Sequence, residues 1–246
     1  MGLATFKGGV HPYEGKELSE SKPIQVLMPK GELVFPLSQH IGAPANPLVK
    51  KGDQVLAGQI IAEAGGFISA NVVCSVSGTV KAVEPRRVAN GAMVNSIVVE
   101  NDGEYKTVEG VGEDRDYTKL SKEEIRKIVK DAGIVGLGGA GFPTHVKLTP
   151  KDDAKIDYVI VNGAECEPYI TSDHRLLLER PEEVIGGLKM LADIMGVQNA
   201  IIAIEENKSD VFPGIEKLIA DDPRLKLYPL KCKYPQGAEK QLINAC

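Results

Sequence analysis

The chain has 246 residues, of which 43% are hydrophobic, so it can form one large globular domain or two ordinary ones. Its 29 basic and 34 acidic residues give a formal net charge of −5 with no basic stripe, which argues against nucleic acid as a partner. No apolar run approaches the roughly 18 residues of a membrane span, and no signal peptide is recognisable, so we expect a cytosolic chain without a membrane span.

The first half of the chain predicts short β-strands. Valine-rich runs such as "GTVKAV" (78–83) and "NSIVVE" (95–100) are bounded by glycine, proline and asparagine, which favours strands over helices. The stretch "VKKGDQVLAGQIIAEA" (49–64) followed by "VSGTVKAV" (76–83) resembles the strand pattern of biotinyl and lipoyl carrier domains. The predicted hairpin tip, residues 64–74, has no lysine to carry a prosthetic group. We therefore expect an all-β barrel-sandwich module with a structural or docking role.

The second half predicts an α/β fold. After a polar linker over 101–120, "SKEE" (121–124) forms a capping box, which predicts a helix over about 122–131. Strands and helices then alternate, which indicates a parallel sheet with helices on its faces. The predicted strands are 157–162, 200–206 and 225–232, and the predicted helices are 173–195, broken or restarted at Pro181, 209–220 and a last one opening near Gly237.

Four dispersed cysteines show no C-x-x-C pair and no histidine at metal-ligand spacing. They are Cys74, Cys166, Cys232 and Cys246. We expect reduced, mostly buried thiols, and no metal or iron-sulfur site made by this chain alone.

The stretch "GIVGLGGAGFPTHVKL" (133–148) contains a G-x-G-x-x-G pattern. A Rossmann loop requires a buried strand before the glycines, and here a capped helix precedes them, so that interpretation fails. No Walker A pattern occurs either. Four glycines in six residues leave main-chain N–H groups bare, a cradle for a phosphate or a flat ring, and Lys147 adds a charge for an anion. The alternative is a purely structural loop.

Two further clusters follow predicted strands. "NGAECEP" (162–168) places Asn162, Glu165 and Glu167 at a strand's carboxyl end, where ligands of parallel sheets bind and carboxylates can accept hydrogen bonds from hydroxyls. "YPQGAE" (234–239) ends the last strand with Gly237 and Glu239. A polar strand-to-helix loop is the alternative interpretation.

The three clusters, in this order, resemble the flavin and NADH site of the flavoprotein subunit of respiratory complex I. That family carries G-x-G-G-A-G-F-P-T ending in lysine, an asparagine-led E-x-E-P loop and a Y-x-x-G-x-E turn. The stretches "FKGGVHP" (6–12) and "QHIGAPANPLV" (39–49), with the sandwich module, are similar instead to RnfC, the peripheral subunit of the Rnf ferredoxin:NAD oxidoreductase. The resemblance to the RnfC family covers essentially the whole chain.

The resemblance implies a barrel-sandwich domain over 1–110 and an FMN- and NADH-binding α/β domain over 111–246. It implies NAD(H) contacts for Phe142, by stacking on the nicotinamide, and for Glu167. Hydride would pass between nicotinamide and flavin, and single electrons between flavin and iron-sulfur clusters. No catalytic side chain or metal ligand is implied. The implied FMN-binding residues are Gly136, Gly138, Gly139, Gly141, Lys147, Asn162, Glu165, Gly237 and Glu239.

The family also implies what surrounds this chain. RnfC proteins continue into a ferredoxin-like segment with two cysteine-rich motifs, so we expect this chain to be C-terminally truncated, without its own [4Fe-4S] clusters and inactive alone. The implied partners are other Rnf membrane subunits and ferredoxin-linked electron carriers. The implied location is peripheral, on the cytoplasmic side of the cell membrane.

Three departures from the complex I pattern support other functions. Leu137 replaces a usual arginine, Ala164 a usual acidic residue and Ala238 a frequent glutamate. Each removes a polar group near the implied ligands. Ala164 and Ala238 favour one alternative, a docking or scaffold module with a vestigial nucleotide cleft. A separate alternative, which does not depend on these departures, is an RnfC-like reductase feeding a soluble acceptor.

Overall fold

The computed structural model describes residues 2–137, 141–151 and 155–246. Contacts divide the chain into two compact units. The sandwich unit is Leu27–Lys151, and the parallel-sheet unit combines residues 1–26 with residues 152–246. The chain passes from one unit to the other after residues 26 and 151, whereas the predicted domain boundary lies at residue 110. That boundary stays a prediction.

The sandwich unit contains two antiparallel sheets, as the strand pattern predicts. Its strands are β1 (Glu32–Pro36), β2 (Asn46–Pro47), β3 (Gln54–Val55), β4 (Ile60–Glu63), β5 (Val72–Val73), β6 (Gly78–Arg87) and β7 (Met93–Asn101). One sheet has the order β1-β7-β6-β3 and the other β2-β4-β5. The predicted strands 78–83 and 95–100 lie within β6 and β7, which pair with Val80 opposite Val99.

The core of the sandwich unit is formed by inward-facing aliphatic side chains of both sheets, as strand alternation requires. It contains Phe35, Leu37, Ala45, Val55, Ile61, Ala62, Val72, Cys74, Val76, Val80, Ile97 and Val99. Burial raises the pKa of the Cys74 thiol above its usual value, so this cysteine remains protonated and acts as a small hydrophobic residue.

Two helices complete the sandwich unit: α1 (Lys122–Asp131) and the short α2 (Thr144–Lys147). The capping box that predicts α1 is formed. The Glu124 N–H donates to the Ser121 Oγ at 3.2 Å, and the Glu124 carboxylate accepts from the Ser121 N–H at 2.8 Å. The helix therefore begins where the local sequence predicts.

The described residues of the parallel-sheet unit form three strands: β8 (Tyr158–Gly163), β9 (Asn199–Glu205) and β10 (Leu225–Leu230). They are parallel in the order β10-β9-β8. Its helices are α3 (Ser172–Glu179), α4 (Pro181–Met195), α5 (Phe212–Ile219) and α6 (Glu239–Ala245). Helix α4 begins at Pro181, packs on β8 and β9, and buries Ile185 and Leu188, which confirms the predicted helical stripe.

The N-terminal residues extend this sheet along β10. Ala4 forms a parallel bridge with Leu230, its N–H donating to the Pro229 carbonyl at 2.9 Å. Val10 then pairs in the antiparallel sense with Tyr234. The stretch "FKGGVHP" is thus part of the parallel-sheet unit. Among the described helices, none is long and apolar enough to cross a membrane.

Candidate functional site

Within the sandwich unit, backbone hydrogen bonds join the two ends of the glycine loop, residues 136–142, and these joined ends form the loop neck. The Gly136 N–H donates to the Phe142 carbonyl at 2.8 Å, and the Thr144 N–H donates to the Ile134 carbonyl at 3.0 Å. Between these bonds, Val135 and Pro143 form an antiparallel bridge. The neck orders both ends of the loop. The predicted FMN ligands Gly138 and Gly139 lie outside the described residues.

The two described glycines of this loop serve different purposes. Gly141 has φ +60°, and a Cβ there would lie 2.8 Å from the Gln39 carbonyl oxygen, so the fold itself requires glycine. Gly136 is exposed, and a Cβ there would come no closer than 3.7 Å to any described atom. Local packing therefore does not explain glycine at position 136, and its bare backbone is open to a ligand.

The side chains that follow the loop are accessible. Lys147 is exposed at the end of α2 and forms no ion pair within the described part of the chain, so its ammonium is available to an anion. Phe142 is half-buried, and Leu137 is 96% exposed. Burial lowers the pKa of His145, which favours the neutral imidazole beside this loop.

A cavity of about 350 Å3 lies beside the loop neck in the sandwich unit. Its lining includes Gln39, His40, Asn71, Gly133 and Val135. The His40 Nε2 accepts from the Ala70 N–H at 3.1 Å and its Nδ1 lies 2.9 Å from the Ile41 carbonyl, so both ring nitrogens have hydrogen-bond partners within the protein. The walls of this cavity come from separate strands and loops, so no local pattern in the sequence predicts it.

Within the parallel-sheet unit, the other two predicted clusters meet. The Asn162 Nδ2 donates to the Gly237 carbonyl at 2.8 Å, and its Oδ1 accepts from the Ala164 N–H at 3.2 Å. The Gly237 N–H donates to the Cys166 Sγ at 3.3 Å. The structure thus brings Asn162, Cys166 and Gly237 together at the carboxyl ends of the strands, where ligands of open parallel sheets bind.

The three predicted carboxylates have different environments. The buried Glu165 carboxylate accepts from the Asp173 N–H at 2.6 Å and the His174 N–H at 3.2 Å, so it caps α3. Glu167 and Glu239 are exposed, and no side-chain hydrogen bond of either occurs among the described residues. These two carboxylates are free to accept hydrogen bonds from a ligand, whereas the carboxylate of Glu165 is engaged by the helix start.

A set of polar residues behind this edge was not predicted from the sequence. A small recess there is lined by His11, Pro12, Glu14, Lys16, Cys166, Pro168, Glu205, Cys232, Lys233 and Tyr234. The Cys232 thiol donates to the Glu14 carboxylate at 3.1 Å, and burial raises the pKa of this thiol to about 12. Cys232 is therefore a protonated hydrogen-bond donor at neutral pH and does not act as a thiolate.

A buried ion pair lies below the recess. Lys208 and Glu205 are both 0% exposed, and the Lys208 Nζ lies 3.6 Å from the Glu205 Oε2, which is close for an ion pair but too long for a hydrogen bond. Burial raises the pKa of Glu205 and lowers the pKa of Lys208. The burial of Glu205 and Lys208 could not be predicted from the stretch "IEENK" (204–208), because polar runs of this kind usually face solvent.

All four cysteines are free, with Cys74 and Cys166 buried and Cys232 and Cys246 half-buried. No group of three or more metal-ligating side chains occurs in the part of the chain that the structure describes.

Comparison with known families identifies two matches along the chain. Residues 4–104 match the RnfC barrel sandwich hybrid domain, and residues 129–246 match the Nuo51 FMN-binding domain. The second match includes all three clusters described above.

Curated relatives match over nearly the whole chain. One is a subunit of the Na+-translocating ferredoxin:NAD+ oxidoreductase complex of Acetobacterium woodii, 48% identical over 98% of this chain and 54% of the relative. The corresponding subunit of the proton-translocating complex of Clostridium ljungdahlii is 43% identical over 98% of this chain and 53% of the relative. The chain thus spans about half the length of these relatives. Among solved structures, an NAD+-reducing [NiFe]-hydrogenase chain is 32% identical with a TM-score of 0.45, covering 50% of this chain and 23% of that chain.

Proposed function

Because the chain belongs to the RnfC family, we propose that it is the FMN- and NAD(H)-binding part of a peripheral electron-transfer subunit in a membrane ion-translocating ferredoxin:NAD oxidoreductase. The observation that carries this proposal is the FMN-binding domain match over 129–246, because it contains the glycine loop and both strand-end clusters. Other subunits of such a complex and ferredoxin-linked carriers are the proposed partners, at the cytoplasmic face of the membrane.

The described residues fit FMN. The Gly136 N–H is bonded to Phe142, but no neighbouring side chain covers the Gly136 backbone, which leaves room for a flat ring. Lys147 offers an ammonium without an ion pair among these residues, suited to a phosphate. Glu167 and Glu239 offer free carboxylates that can accept hydrogen bonds from ribityl or ribose hydroxyls. The proposed flavin contact of Glu165 stays a prediction, because its carboxylate caps α3 and its carbonyl oxygen accepts from Lys16.

When bound, FMN supplies hydride exchange with NAD(H) and transfer of single electrons. The chain's own residues bind the flavin and the nucleotide and hold both in position. The hydrogen bond to Gly237 holds the Asn162 side-chain amide in one orientation. This side chain therefore does not need to rearrange when a ligand binds. Phe142 offers an aromatic face for stacking on the nicotinamide, which excludes water from that side of the ring.

Titration with FMN tests the proposal. We expect Lys147→Ala to raise the FMN dissociation constant about fivefold, because one exposed ammonium contributes modestly to phosphate binding. Quenching of flavin fluorescence at low ionic strength measures it. Lys151→Ala is the matched control, since Lys151 is also exposed and lies four residues away. Absence of flavin binding by the folded wild-type protein would refute the proposal.

A docking or scaffold module is the second candidate function. Ala164 is 0% exposed beside Gly237, so a buried methyl group occupies a position where the complex I pattern has an acidic side chain. A scaffold with a vestigial cleft predicts that Lys147→Ala and Lys151→Ala have the same effect on FMN titration. A larger effect of Lys147→Ala excludes it.

A further inference from the structure

The acidic loop, residues 165–170, has an unusual backbone. It connects β8 to α3 within the parallel-sheet unit. Glu165 has φ +49° and Tyr169 has φ +67°, although neither is glycine. Such left-handed conformations are unfavourable for residues with a Cβ and persist where surrounding contacts hold them. The loop therefore needs an external constraint.

Lys16 provides that constraint. It is 5% exposed, and its Nζ donates to the carbonyl oxygens of Glu165 at 2.8 Å, Glu167 at 3.2 Å and Ile170 at 2.6 Å. A lysine ammonium has three N–H donors, so all three are used on this loop. Because the acceptors span the loop from its first residue to its last, one side chain constrains its whole course.

The chain on either side of Lys16 is also packed on this loop. Gly15 has φ +61°, and a Cβ there would lie 2.3 Å from the Tyr169 ring, so only glycine allows this approach. The Tyr169 N–H donates to the Glu14 carbonyl at 2.7 Å. The backbone next to Lys16 is therefore packed against the loop, and this packing keeps the Lys16 side chain close to the carbonyl oxygens that it contacts.

The fixed backbone separates the two acidic side chains of the loop. The carboxylate of Glu165 is buried on the first turn of α3, while the side chain of Glu167, two residues later, is exposed. The orientation of the Glu167 side chain depends on the backbone of the loop, because this side chain forms no hydrogen bond with the described residues.

We propose that Lys16 is a positioning residue for nucleotide binding: its ammonium holds the acidic loop in the shape that presents Glu167 to NAD(H). This inference rests on the proposed function, since it concerns the nucleotide side of the same site. Lys16 lies outside all three clusters on which the resemblance to the complex I subunit depends.

The test combines Lys16→Met with Glu167→Gln in a double-mutant cycle. Methionine keeps the apolar stem and removes the donors, and glutamine removes the charge of Glu167 at constant size. With FMN at saturating concentration, NADH titration gives the dissociation constant of each variant. We expect each single variant to raise it about tenfold, and the double variant to raise it no further, because Lys16 acts through Glu167. Leu188→Ala, a fully buried change on α4, is the control for loss of stability and should leave NADH affinity unchanged.

Hydrogen exchange of the Tyr169 backbone amide, which donates to the Glu14 carbonyl, gives a second readout that requires no ligand. Lys16→Met should lose protection there, and Leu188→Ala should retain it. Additive effects in the cycle, or unchanged exchange in Lys16→Met, overturn the proposal. Lost protection in a protein whose wild type binds no NADH refutes the proposed function and the nucleotide role of Lys16, while the loop contact itself stands.

Discussion

Replacing Lys208 by methionine is expected to lower the free energy of unfolding by about 3–5 kcal/mol, because it leaves the Glu205 carboxylate buried without a counter-charge. The Glu205 Oε2 has no hydrogen-bond donor among the described residues, and its Oε1 accepts only weakly, from the Lys233 N–H at 3.2 Å. The ammonium of Lys208 therefore supplies most of the compensation for this buried charge. Urea denaturation at pH 7 measures the loss.

The double variant Glu205→Gln/Lys208→Met separates the effect of the charge from that of packing. It removes the unpaired carboxylate, so we expect it to be more stable than Lys208→Met alone by about 2 kcal/mol. If the double variant is as unstable as the single one, the loss comes from packing and the electrostatic explanation is wrong.

The same pair predicts a dependence on pH. Burial raises the pKa of Glu205 above its usual value of 4.5, and the positive charge of Lys208 opposes that rise, so the pKa should be still higher in Lys208→Met. A raised folded-state pKa stabilises the fold below the unfolded pKa, and this stabilisation is lost as pH rises through the folded value. Lys208→Met should therefore lose stability relative to the double variant from about pH 4.5 upward. Equal pH profiles for the two variants would contradict this assignment.

Two alanine substitutions in the glycine loop are expected to have opposite effects on stability and binding. Gly141→Ala should lower the free energy of unfolding by about 1–3 kcal/mol, because its φ of +60° and the Gln39 carbonyl oxygen at 2.8 Å disfavour a Cβ. Gly136→Ala should change stability by less than about 0.5 kcal/mol, because no described atom lies within 3.7 Å of its Cβ position.

Gly136→Ala should nevertheless weaken FMN binding about ten- to a hundredfold, because an added methyl would occupy the surface that the proposed flavin contacts. Thermal denaturation without ligand and FMN titration, performed on both variants, measure the two effects separately. Wild-type FMN affinity in Gly136→Ala would show that the exposed backbone at 136 is not a flavin contact. A large loss of stability in that variant would show that the open space at this position is filled by the protein itself.

Several elements could be predicted from short stretches of sequence. The capping box at Ser121 and Glu124 predicts the start of α1, and Pro181 predicts the start of α4, because the bonds or dihedral angles concerned involve residues at most four apart. The valine-rich runs predict β6 and β7 for a similar reason, since strand preference and alternation are local properties. The three clusters likewise identify the FMN-binding match over 129–246.

Other features depend on which distant segments meet. The sequence placed residues 1–26 with the sandwich, but contacts group them with the parallel sheet, where Ala4 pairs with Leu230. Glu165 was predicted to line the flavin, and that contact stays a prediction, but only the structure shows its carboxylate engaged by α3. Nothing local distinguishes the exposed carboxylate of Glu167 from this engaged one.

The sequence by itself determined the local elements and the order of the three clusters, because capping, strand preference and glycine content act over a few residues. Only the tertiary structure decided that Lys16 binds carbonyls 149–154 positions away and that Glu205 and Lys208 are buried together. The physical reason is that a hydrogen bond or a burial cost depends on which chain segments pack against each other, and a periodic pattern carries no information about such distant partners.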